Sequence, residues 1–310
     1  MMARTFFLVI LFSFLIAGSQ AQVTVSTVTG EIYGSGGISR GPDGSIYIAN
    51  VGQTAANERG TEVLRYDPVA DTIGVFATGL RSPTGNAFDS QGNFFQSNSF
   101  GSEVSIIDSN GTVNIFTIAG LFSPHGIAVD ADDNLYVCNC SNNTVQRITP
   151  SKASAVFSSH PEFDCPHGIA IDSMGTLYMT NFNDGKVFRI DTLGIGTLLA
   201  TIPGGNNGYI TYNPGNGALY VNSLGSSTLY LMTTEGLFSP FVGTGTRGNL
   251  DGAGSLATLS RPNGLALSVT GDSLYLNSLV SLTSTSLPRN PALLRRITGL
   301  LPPPTHIAVP

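Results

Sequence analysis

The chain repeats itself, and that repetition limits what it can fold into. The segment Ser123–Asn139 reads SPHGIAVDADDNLYVCN, and it returns forty-two residues on as PHGIAIDSMGTLYMTN, ending at Asn181. Each copy is an alternating apolar run, a polar turn and a second apolar run that stops at Asn. That pattern predicts a β-hairpin, with strands over Gly126–Asp130 and Leu135–Cys138 in the first copy. The same unit fits six times, on glycine anchors Gly37, Gly85, Gly126, Gly168, Gly208 and Gly264. Thirteen residues past five of these anchors stands an asparagine: Asn50, Asn98, Asn139, Asn181 and Asn277. In the fifth unit the count is fourteen, at Asn222, and every second run carries an aromatic such as Tyr136 or Tyr178.

Third and fourth apolar runs follow each hairpin, as in Val145–Ile148 and Ala153–Phe157. Four short strands recurring near every forty residues describe the blades of a six-bladed, all-β propeller with four-stranded antiparallel blades. The sixth unit has a third strand at Leu293–Ile297, and its fourth is expected from Gln22–Thr29 at the N-terminal side. Such a closure removes open sheet edges. Thr305–Val309 echoes a first strand and offers a different closure register, which would bring in His306.

Residues 1–21 hold one basic residue, the short apolar run Phe6–Ile16 and a small-X-small end at Ser19–Ala21, the pattern of a secretory signal peptide. The expected organisation is therefore a signal peptide at 1–21, a propeller over 22–298 and a Pro-rich tail at 299–310, exported to an extracellular or periplasmic space without a membrane anchor. Only 11% of residues are charged and the net charge is −6 without a Lys/Arg cluster, which argues against nucleic acid and anionic membrane as partners. The expected state is a monomer. Export permits disulfides. Among Cys138, Cys140 and Cys165, the last two fall at the same end of adjacent blades, so a Cys140–Cys165 bridge is expected; the alternative is three small buried hydrophobes.

Two stretches carry a family resemblance. Gly243–Ala257, GTGTRGNLDGAGSLA, followed by Arg261–Leu267, RPNGLAL, resembles the Gly-rich connector and Pro-X-Gly head of NHL-repeat propellers. The six heads also resemble those of the regucalcin/gluconolactonase propellers. Together the resemblance spans about Gly37 to Ile297. It implies the fold; both families include enzymes and plain binding proteins.

In a propeller the first strand of each blade lines the central channel, so the residue before each anchor glycine is expected near the axis at one mouth. Those residues are Gly36, Thr84, His125, His167, Asn207 and Asn263. The strand-end asparagines, Asn139 and Asn181 among them, are expected to crown or brace that mouth, with turn-capping as the stronger reading. His125 and His167, with Asn263 as an oxygen donor, are candidate ligands for a divalent metal, zinc or calcium. The resemblance adds that some NHL-type lyases hold zinc with three axial histidines. Two histidines hydrogen-bonding around a hydrated channel is the plainer reading. Regucalcin-like binding implies axial Glu, Asn and Asp, yet no carboxylate stands at the six positions, and calcium affinity depends on charged oxygens. Two functions follow. One is a binding module that takes a protein, peptide, glycan or small molecule at the channel mouth; the other is a metal-dependent lyase or lactonase-like hydrolase centred on His125 and His167.

Overall fold

The structure is a computed structural model that describes residues 22–52, 59–282 and 290–300. The expected signal peptide, the Pro-rich tail beyond Leu300, and His306 lie outside the described residues. Among those described, twenty-five strands and no helix form six antiparallel sheets arranged as a propeller. No helix there is long and apolar enough to cross a membrane.

Blade three shows how the sequence writes a blade. Its strands Pro124–Val129, Leu135–Asn139, Thr144–Ile148 and Ser154–Ser159 pair in chain order. From Leu135 to Cys138 the second strand is apolar rather than alternating, because each blade is sandwiched between two others and both faces must be dry. Period-two geometry then deals its residues to opposite sides. Leu135 and Val137 pack with Phe95, Val104 and Ile127 towards blade two. Tyr136 and Cys138 pack with Ile169, Leu177 and Met179 towards blade four. The outermost strands are exposed, with Ile115 and Val156 facing solvent. A register shift between their third and fourth strands, as at Val145/Gln146, bends those edges and blunts them against pairing with another chain.

Closure follows the expected route. Thr24–Thr27 pairs antiparallel with Ala292–Thr298, with Thr24 opposite Thr298, and completes blade six. The Gly-rich connector adds the two-residue strand Gly252–Ala253 outside it. Asp251, just before that strand, ties the seam: its carboxylate accepts from Thr27 N (2.9 Å) and Thr27 Oγ1 (3.1 Å), and pairs with Arg295 Nη2 at 2.6 Å. Arg295 is wholly enclosed and also donates to the carbonyls of Leu250 and Thr258. Asp251 thus braces the connector.

Candidate functional site

The axis is built from glycines because six first strands converge there. A Cβ on Gly126 would lie 2.5 Å from His167 O, and one on Gly85 would lie 2.7 Å from Gly126 Cα, so no side chain fits at either. Before four of these strands a residue in the left-handed region precedes proline: Ser82, Ser123, Cys165 and Arg261 have φ between 48° and 56°. That repeated kink turns each chain into the channel.

The fifth blade breaks the glycine ruler. Pro83, Pro124 and Pro166 pair with Asn98, Asn139 and Asn181, and in blade five the partners are Asn207 and Ser223. Asn207 therefore lines up with the prolines, Gly208 with His125 and His167, and Tyr209 with the axial glycines. Gly168 confirms this register, since a Cβ there would meet Tyr209 Cα at 2.7 Å. The Tyr209 ring crosses the axis: its Cζ would lie 2.9 Å from a Cβ on Gly37, and its centroid is 5.0 Å from that of His167. Asn222 and Asn277 likewise line up with Cys138 and Thr180, one position short of Asn139 and Asn181.

This second-strand position stitches blade to blade. Thr180 Oγ1 donates to Gly208 O (2.8 Å), Asn222 Nδ2 to Asn263 O (2.9 Å) and Asn277 Nδ2 to Gly36 O (2.8 Å). Thr84 does similar work, donating to Pro124 O at 2.8 Å. The strand-end asparagines are fully buried and brace loops. Asn139 accepts from Phe122 N and donates to Gly120 O, and Asn181 donates to Glu162 O. Asn139 begins an Asn-X-Ser sequence, but its burial leaves no room for a glycan.

Of the residues expected at the mouth, His125 and His167 come together. Their ring centroids are 4.6 Å apart, and both are nearly buried. His167 Nε2 lies 3.4 Å from Asn263 Oδ1, and Asn263 donates to Ser35 O. The two imidazoles line a pocket of about 420 Å³ at the end of the channel where the Pro-X-Gly heads enter. A disulfide joins Cys140 to Cys165 on its rim, between blades three and four. Ser141, Asn143, Asp164, Phe182 and Asn183 complete the wall, and Asn183 Nδ2 donates to Asp164 Oδ1 at 2.7 Å. Thr84, Asn139, Asn181 and Asn207 do not line this pocket. Sequence reasoning missed Ser141, Asn143, Asp164, Phe182, Asn183 and Tyr209; the fourteen-residue count in blade five was the signal for Tyr209.

The described donors do not make the metal centre that the resemblance implies. Two imidazoles and one amide oxygen converge, without the third histidine of a zinc site or the carboxylates of a calcium site. Among the described residues no group of three or more His, Cys, Asp or Glu is placed to hold a metal. Cys138 is the free thiol, sealed in the blade three/four core, where burial pushes its pKa up.

The opposite end of the channel opens into a chamber of about 500 Å³, where the first strands leave the axis. Aspartates close the turns around it. Asp89, Asp130 and Asp172 each accept from the backbone N–H four residues on. Burial alone would raise the Asp130 carboxyl, but hydrogen bonds from Asn134 and from Tyr136 hold it below the usual range. Tyr136, buried beside that carboxylate, is pushed up to about 12.

An NHL-repeat family model matches residues 123–148, the first three strands of blade three. No curated protein matches the sequence as a relative. Solved structures show the same fold at low identity. A gluconolactonase from Xanthomonas campestris is 16% identical over 90% of each chain, with a TM-score of 0.66. Virginiamycin B lyase from Staphylococcus aureus is 14% identical over 89% of this chain and 99% of its own, at 0.62. An auxiliary nutrient binding protein from Bacteroides thetaiotaomicron is 14% identical over 89% of this chain and 76% of its own, with a TM-score of 0.71.

Proposed function

We propose that this NHL-repeat-bearing propeller is a binding protein that takes a small polar ligand in the pocket at the head of the channel. The observation that carries the reading is the chemistry of the six axial head positions. Gly36, Thr84, His125, His167, Gly208 and Asn263 include no carboxylate, so the ring lacks the charged oxygens of a calcium-assisted lactonase. What it offers instead is a small pocket with imidazole and amide hydrogen-bonding groups, one aromatic wall, Phe182, and one wall carboxylate, Asp164, which Asn183 already engages. The disulfide on the rim keeps that pocket in shape and suits an oxidising compartment. With the signal-like segment at 1–21, it supports export. A nutrient-binding protein among the fold neighbours is compatible with this role, and a lyase and a gluconolactonase mark the competing one.

The test pairs a binding screen with an activity assay. A thermal-shift panel of small metabolites should give hits that disappear in His167→Ala. The melting curve should not move on adding zinc or calcium, and δ-lactones should not be turned over above buffer. A stoichiometric metal lost in both His125→Ala and His167→Ala, with metal-dependent turnover, would replace binding by catalysis.

A further inference from the structure

We propose that the chamber at the turn end of the channel is a second, independent binding site for a neutral, hydroxyl-rich molecule of sugar size. The first strand of every blade is the terminal strand of its sheet. One edge of each therefore faces the axis with backbone N–H and C=O groups outside any ladder. The chamber wall is thus a set of fixed, uncharged donors and acceptors interleaved with aliphatic side chains. Its volume, about 500 Å³, falls within the range of small-ligand sites.

Ser39 and Asn86 line the chamber, but Ser39 Oγ and Asn86 Oδ1 are closed off from solvent beneath its surface. Asn86 Nδ2 is spent on Gln96 Oε1 at 3.2 Å, and Gln96 Nε2 donates to the carbonyls of Gly85 and Ser97, both at 2.9 Å. The polar surface offered to a ligand is therefore the backbone edge of the first strands, which is uncharged and fixed in place.

Charge is kept out of the interior. Arg40 and Asp89 are the charged residues on the lining. Arg40 is exposed, and both oxygens of Asp89 are engaged by Gln91 and Asn93 of its own turn. Aromatic surface comes from Tyr209, whose ring crosses the axis, and from Tyr212 at the side. Neutral donors and acceptors around aromatic faces are the requirements of a sugar ring, whose polar rim wants hydrogen bonds and whose C–H face wants an apolar surface. Because Tyr209 lies across the channel, the chamber is blind at its inner end, and the site does not depend on the head pocket.

Isothermal titration with cellobiose and with maltose tests the assignment. At least one should give a saturable heat at millimolar concentration. Thr211→Phe, which fills the chamber from its wall, should weaken that binding at least about tenfold, and Tyr212→Ala about three- to tenfold. Ser39→Trp repeats the filling experiment from the opposite side should Thr211→Phe not fold. Thermal-shift hits of the head pocket should persist in Thr211→Phe, so the two sites fail separately. No saturable heat with either sugar, or sugar binding unchanged in the filled variants, would overturn the assignment.

Discussion

The ring has two special seams, and they are sealed by different chemistry. Between blades three and four the seal is covalent: Cys140–Cys165 on the rim, with the apolar cluster around Ile169, Met179 and Phe188 beneath it. At blade six, where strands from distant parts of the chain meet, it is ionic: Asp251 holds both Thr27 and the enclosed guanidinium of Arg295. The covalent seam borders the pocket with the two histidines, and the ionic seam lies in the closing blade. Rigidity is therefore placed where a ligand would be read. The clasp works by a different rule, since Arg295 is tolerable inside the protein only while its partner stays in place.

Removing each seal in turn should break that contrast. A Cys140→Ser, Cys165→Ser double variant opens a loop whose ends are 25 residues apart, and should lose about 3–4 kcal/mol in urea unfolding. Retention of full stability would show the seam to be held by its core alone. Asp251→Ala strands Arg295 and should cost about 2–3 kcal/mol, less than breaking a fully buried pair because Asp251 itself is half open. Adding Arg295→Met should recover most of the loss; if it does not, the clasp contributes through shape rather than charge. An unsealed seam supplies the baseline. Thr180→Ala removes one stitch from blade four to Gly208 O and should cost about 1–2 kcal/mol, measured the same way.

The smallest effect is a pH dependence carried by blade three. The Asp130 carboxyl is held low in the folded protein, so its contribution is present above its unfolded value and is lost as pH falls through the folded one. Tyr136 is raised, so its contribution is present below pH 10 and fades as pH climbs towards about 12. In melting curves, the stability gap between wild type and Tyr136→Phe should be widest near neutral pH, narrowing in acid as Asp130 takes up a proton and again above pH 10 as the raised Tyr136 loses its advantage. Parallel curves across the whole range would remove the pair from this account.

Most of the architecture was legible because a propeller writes its core in phase. Leu135–Cys138 is apolar at every position, and only a strand covered on both faces needs that. The closure through Thr24–Thr27 was legible for the same reason, as the missing fourth member of a set. What counting could not give was register where the turn length changes. Gly208 carries the expected residue type at the wrong place, and the axial position belongs to Tyr209. Asn277 sits thirteen residues past its glycine, yet a longer turn moves it one step back along the strand. Nor does sequence tell whether a polar side chain faces a ligand or a carbonyl. Thr84 and Asn139 carry the residue types of a polar mouth, yet in the structure both donate to backbone carbonyls instead. Asp164, Phe182 and Asn183 sit in loops, where nothing in the repeat marks them.

The antiparallel pairing of Thr24 with Thr298 has a practical consequence. Because those two positions are neighbours in one blade, a short linker between them would make the backbone a continuous circle. New ends could then be cut in an exposed turn such as Asp191–Ile195. A circular permutant of that kind should keep all six blades, since the order in which they are synthesised is nowhere inscribed in their contacts.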